Sequence, residues 1–168
     1  MQFINIADDF LNNELFNDCL TFSNKIFTKE SMDSLDTNKK CWEDDMVKDS
    51  ETIYIIRVNY GELYNKIKEA LSLQLGIITI KCINFYWYSP GSHIPWHNDS
   101  AHNGGITIYL NDWDVDHGGL FLFNDKNDGI RAVVPKRNRL VQQFGKVDHS
   151  VMPTTITSIP RKTIQIFY

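Results

Sequence analysis

The tetrapeptide Trp96-His97-Asn98-Asp99 carries an imidazole and a carboxylate two residues apart. In extended backbone, side chains at i and i+2 leave the same face, so His97 and Asp99 can converge on one point. Taken alone the pattern is weak, since such tripeptides arise by chance on surfaces, with Asp99 capping a turn and His97 in solvent. His149, in Asp148-His149-Ser150-Val151-Met152-Pro153, adds a second imidazole at the head of a short β-type run. Two neutral imidazoles and one carboxylate form the facial set that holds non-haem ferrous iron while leaving neighbouring coordination positions open.

Arg161 opens the final β-type run, Arg161-Lys162-Thr163-Ile164-Gln165-Ile166-Phe167. A guanidinium there can grip a carboxylate through two parallel charge-assisted hydrogen bonds, with a directionality that lysine lacks. Period-two alternation sets Arg161, Thr163, Gln165 and Phe167 on one face and Ile164 and Ile166 on the other. A polar face on a last core strand makes sense where it lines a cavity. Tyr109, within Ile106-Thr107-Ile108-Tyr109-Leu110-Asn111, puts a hydroxyl in a strand from which it can assist the same carboxylate.

The elements that must position these groups follow from periodicity. Phe3 to Ile6 reads as a short strand, with Asp8 or Asp9 as N-cap of an amphipathic helix carrying Phe10, Leu11, Leu15, Phe16, Cys19, Leu20 and Phe22. Thr28 to Ser50 is polar and irregular, a long surface loop that is either simply solvated or a lid over the site. Thr52 to Val58 is β-rich, and Glu62 to Leu73 reads as a second helix ending at Gly76. Beyond Gly76 the pattern changes to short β runs at Ile77–Tyr88, Gly105–Leu110, Leu120–Phe123, Ala132–Val134, Leu140–Phe144 and Thr163–Phe167, separated by turn residues. Helices followed by many short strands predict an α+β chain ending in a sandwich or barrel.

Composition agrees with one globular domain over residues 1–168, with helical support over about 1–76 and a β core over about 77–168. Aromatics make up 12% of the chain, which suits strands that bury large flat side chains. A net charge of −4 argues against a general nucleic-acid binder. Acids crowd the first third (Asp8, Asp9, Asp49 and Glu51 among them) and bases the last (Arg131, Lys136, Arg137, Arg139, Arg161, Lys162), which either steers an anionic ligand or marks two solvated faces. The three cysteines include no CxxC pair, so neither a disulfide scaffold nor a thiolate zinc site is indicated. With no signal-peptide pattern and no membrane-length apolar run, the expected setting is reducing and cytoplasmic.

From Phe85 to Tyr168 the chain resembles the prolyl 4-hydroxylase-like branch of the Fe(II)/2-oxoglutarate-dependent dioxygenases. The matching stretches occur in the family's order: Tyr88-Ser89-Pro90-Gly91 leading to His97-Asn98-Asp99, then Tyr109-Leu110-Asn111-Asp112-Trp113. His117-Gly118-Gly119-Leu120-Phe121-Leu122-Phe123, His149-Ser150-Val151-Met152-Pro153 and Arg161 with its β run complete the series. The resemblance implies a double-stranded β-helix (jelly-roll, cupin-like) core with supporting N-terminal helices. It implies Fe(II) on His97, Asp99 and His149, and 2-oxoglutarate held by Arg161 and Tyr109, with Tyr88 and Thr163 also touching the cosubstrate. The implied reaction is hydroxylation coupled to conversion of 2-oxoglutarate and O2 to succinate and CO2, with ascorbate a candidate reductant. A protein or peptide residue, prolyl first, is the implied substrate. A small molecule or nucleic acid under the same chemistry stays open, as does a cupin-like metal- or carbohydrate-binding module without turnover or a metal-free β-sandwich.

The chain departs from the branch in the short Asp99–Tyr109 segment, in His102 where a basic residue is common, and in Leu120 where Glu is common. His102 is expected in a solvent-exposed loop or against substrate. His93 and His117 are expected in turns, and Trp87, Trp96 and Trp113 as packing residues.

Overall fold

A computed structural model describes residues 4–28, 49–99 and 101–168. Its elements, in chain order, are β1 (Ile4–Ala7), α1 (Asn13–Ile26), β2 (Ile53–Val58), α2 (Glu62–Leu75), β3 (Cys82–Tyr88), β4 (Ile94–His97), β5 (Gly104–Tyr109), a 3-10 turn (Val115–His117), β6 (Phe121–Asp125), β7 (Gly129–Val133), β8 (Leu140–Phe144), β9 (His149–Val151) and β10 (Arg161–Phe167). The strands form a six-stranded sheet, β1-β8-β5-β10-β3-β2, and a four-stranded sheet, β4-β9-β6-β7. Every ladder is antiparallel. This is the expected α+β double-stranded β-helix.

The six-stranded sheet has two unlike faces because its strands alternate. Ile83, Phe85, Ile106, Ile108, Ile164 and Ile166 pack with Leu15, Phe16 and Cys19 of α1 and Ile67 and Leu71 of α2 in one aliphatic core. The opposite face carries Tyr86, Tyr88, Tyr109, Arg161 and Gln165 toward the smaller sheet. The first 76 residues supply more than helical support, since β1 and β2 form the two edges of the larger sheet.

Helix α1 starts later than predicted. Asn12, not Asp8 or Asp9, is its N-cap, and its side chain accepts from the Leu15 amide at 2.9 Å. The reason lies in Asn138, whose backbone carbonyl accepts from Phe10 N and whose amide side chain exchanges hydrogen bonds with Leu11 N and Leu11 O at 3.0 and 2.7 Å. With those groups committed, the helix cannot begin before Asn12. At the other helix the expected Gly76 terminator is present in left-handed conformation (φ 67°), with its amide bonded back to Ser72 O and that of Ile77 to Leu71 O. The predicted strand from Ile77 shortens to Cys82, which pairs with Phe167, the last residue of β10.

Strand β4 was not predicted; Pro95 within Ile94–His97 masked it. The proposed lid falls almost entirely on residues 29–48, outside the described residues. No helix among the described residues is long and apolar enough to cross a membrane.

Candidate active site

Between the inner faces of the two sheets lies a solvent-open cleft with about 400 Å³ of atom-free space. His97 and His149 are Cα partners across the β4–β9 ladder, so both project from one side of the smaller sheet into that cleft. Their ring centroids are 4.2 Å apart. In each, Nδ1 lies 2.8 Å from the carbonyl oxygen two residues earlier, Pro95 O and Val147 O. Donation of Nδ1–H to those carbonyls places the ring lone pair on each Nε2, the tautomer a metal requires.

Asp99 lies two residues beyond His97, just past the end of β4. Its Oδ1 is 3.8 Å from His97 Nε2 and its Oδ2 is 3.6 Å from His149 Nε2. One ligand atom from each of the three side chains can be chosen so that all lie within 4.8 Å of one another. Burial, and next the adjacent His97, hold the His149 imidazole below its ordinary pKa. That favours the neutral form a cation needs. The donor set fits a ferrous ion: nitrogen and oxygen ligands in a facial cluster, with the rest of the cleft left open.

The second part of the cleft is cationic. Arg161 is only 2% exposed, and its Nη1 donates to Gly119 O at 2.8 Å. Its guanidinium carbon stands 3.9 Å over the centroid of the Tyr88 ring, the residue paired with it across β10 and β3. Gly119 adopts φ +64°, and a Cβ there would sit 3.1 Å from Arg161 Nη1 and 2.9 Å from Thr154, so a glycine keeps this approach open. Arg161 Nε is buried without a hydrogen-bond partner among the described residues. Among the described residues no carboxylate pairs with Arg161. A buried, unpaired cation is costly, and an entering carboxylate would satisfy both its charge and its orphaned donor. Tyr109, paired with Thr163 across β10 and β5, is 3% exposed. Burial pushes its phenol up to about 12, so it remains a hydrogen-bond donor at neutral pH. Burial likewise raises Tyr88, with Arg161 opposing.

Six of the seven residues singled out from sequence, His97, Asp99, His149, Arg161, Tyr109 and Tyr88, border the cleft; Thr163 is buried on the same face of β10. His102 differs from expectation. It is half-buried, with its ring stacked 4.5 Å from Phe167 and its amide bonded to Asp99 O, so it closes the turn after Asp99 instead of standing in solvent. Trp96 also differs: it is 46% exposed, because His97 takes the inward side of β4. His117 ends the 3-10 turn against Trp113, and His93 has its amide bonded to Ser50 Oγ in the turn before β4. Sequence reasoning missed Gln143, whose Nε2 donates to Asp99 Oδ2, and the Thr107–Gln165 pair at 2.6 Å. Two adjacent glutamines in the otherwise apolar run Leu140–Phe144 were the available signal.

The family model for the 2OG-Fe(II) oxygenase superfamily matches residues 83–168, just over half of the chain. The chain belongs to the 2OG-Fe(II) oxygenase superfamily. It is therefore an enzyme of the class that uses Fe(II), 2-oxoglutarate and O2.

Solved structures share the fold of this oxygenase at low sequence identity. A Pseudomonas putida prolyl-4-hydroxylase superposes with TM-score 0.74 at 17% identity, covering 98% of this chain and 91% of that one. A Trichoplax adhaerens prolyl hydroxylase, in complex with a hypoxia inducible factor oxygen degradation domain peptide fragment, gives 0.72 at 15% identity, covering 98% and 82%. A viral collagen prolyl hydroxylase from Paramecium Bursaria Chlorella virus-1, in a 2OG complex, gives 0.68 at 13% identity, covering 99% and 95%. No curated protein sequence matches the chain.

Proposed function

We propose that this oxygenase hydroxylates a residue of a protein or peptide, prolyl first, with Fe(II) on His97, Asp99 and His149 and 2-oxoglutarate held by Arg161. The observation that carries this reading is the buried guanidinium of Arg161, without a carboxylate partner among the described residues, in the same cleft as the three convergent ligand atoms. A metal-binding module without turnover has no use for such a clamp. Ferrous iron with 2-oxoglutarate and O2 supplies an oxidant able to break a C–H bond, with succinate and CO2 as coproducts.

The chain's own residues bind and orient. The two imidazoles, fixed by Pro95 O and Val147 O, present Nε2 inward. Arg161 would receive the distal carboxylate, Tyr109 would donate a second hydrogen bond to it, and Tyr88 holds the guanidinium over its ring. Ile94, Phe121 and Val151 give the cleft apolar walls beside the reacting groups. No side chain has to act as a general base. A peptide substrate is supported by the prolyl hydroxylase folds, one of which was solved with a peptide.

The test is incubation with a peptide panel, proline-containing sequences included, scoring a gain of one oxygen together with succinate release. Oxygen transfer to a prolyl peptide at one-to-one stoichiometry is expected. Succinate release stimulated by a non-peptide substrate and by no peptide would overturn the substrate class.

A further inference from the structure

Gln143 of β8 faces Gly105 of β5 in the antiparallel register and is 3% exposed. Its Nε2 donates to Asp99 Oδ2. A Cβ on Gly105 would lie 2.8 Å from that Nε2 and 3.4 Å from Asp99 Oδ2. Only hydrogen at position 105 leaves the amide a passage from one strand to the carboxylate beyond the next. Gln142 plays a different part: it bonds Asn5 Nδ2 at 3.4 Å and the Tyr168 hydroxyl at 3.0 Å.

A primary amide buried in a core strand costs stability unless it is hydrogen-bonded, so the partner explains the residue. That partner needs holding. Asp99 lies beyond the last residue of β4, outside the ladder that fixes His97 and His149. With Oδ2 held by the amide, the carboxylate stands with Oδ1 3.8 Å from His97 Nε2 and Oδ2 3.6 Å from His149 Nε2. A neutral donor also orients the carboxylate without introducing a cation beside the metal site.

We infer that Gln143 is a positioning residue of the iron site, holding the Asp99 carboxylate by Oδ2 so that it faces His97 and His149, with Gly105 as the opening through which it reaches. The inference rests on His97, Asp99 and His149 being the iron ligands. Outer partners of metal ligands typically contribute about 10–100-fold in metal affinity.

The experiment is anaerobic Fe(II) titration of the full chain without 2-oxoglutarate, beside apo-protein melting and 2-oxoglutarate affinity at saturating iron. Gln143→Met keeps length and apolar fit but removes the donor; it should weaken Fe(II) binding about 10–100-fold. Its melting temperature and 2-oxoglutarate affinity should stay near those of the parent. Gly105→Ala, which blocks the passage, should weaken iron similarly, and the double variant should lose no more than the stronger single, since both remove one interaction. Unchanged iron affinity in Gln143→Met, or losses that multiply in the double variant, would overturn the role of Gln143. Iron binding that survives in His149→Ala would instead overturn the ligand assignment beneath it.

Discussion

Strand β10 carries two faces on one backbone. Ile164 and Ile166 point into the helix-covered core and are fully buried among aliphatic side chains. Arg161 and Gln165 point into the cleft, and Arg161 is buried almost as completely. Burial is nearly equal on the two sides, yet its meaning is opposite. On the helix side it removes apolar surface from water and stabilises the fold. On the cleft side it holds a cation with no carboxylate partner among the described residues, which the carboxylate of the proposed cosubstrate would complete. Stability and chemistry are thus separated by one step of strand alternation, and substitutions should separate them too.

The largest effect is expected on the smaller sheet: His149→Ala should abolish Fe(II) binding and turnover while leaving the apo melting temperature near that of the parent. An apo protein that failed to fold would mean the ligands also carry the structure. Next, Ile164→Ala should destabilise by about 2–5 kcal/mol, read by denaturant unfolding, with 2-oxoglutarate affinity retained in the folded fraction. Arg161→Ala should do the reverse. Its 2-oxoglutarate affinity should fall roughly 10- to 150-fold, the range for losing hydrogen bonds to a charged group, with iron affinity and stability preserved; Arg161→Lys should recover only part. Tyr109→Phe should weaken 2-oxoglutarate by about fivefold, the scale of one ordinary hydrogen bond.

The smallest effect belongs to the surface. The Asp8 carboxylate, bonded to Arg139 and Lys136, is held well below the ordinary carboxylate range. A lowered folded-state pKa contributes stability above the unfolded value and loses it as pH falls through the folded one. Asp8→Asn should therefore lower the neutral-pH melting temperature slightly and flatten its decline below about pH 4. Because Asp8 is partly exposed, salt should shrink the difference.

Periodicity and residue chemistry read well where a local rule was enough. Gly76 ends α2 because only the left-handed conformation closes that helix, and Leu140–Phe144 is a strand as its pattern says. The residues proposed for metal and cosubstrate stood out because their types are expensive to bury in or beside core strands without a partner. What sequence hid depends on contacts across long separations. Asn138 sets the start of α1 from more than a hundred positions away, and no pattern near Asp8 reports it. Gln143 finds its meaning in Gly105 and Asp99, which lie on other segments. Trp96 was expected to pack, but its outward position follows from His97 turning in, which required knowing that Ile94–His97 is a strand.

Anaerobic addition of Fe(II) and 2-oxoglutarate probes most directly whether one cleft holds both. The weak charge-transfer absorption of the iron–2-oxoglutarate chelate should appear in the parent chain, vanish in His149→Ala, and return in Arg161→Ala only at much higher 2-oxoglutarate. No band in the parent chain, or an undiminished band in His149→Ala, would contradict the assignment.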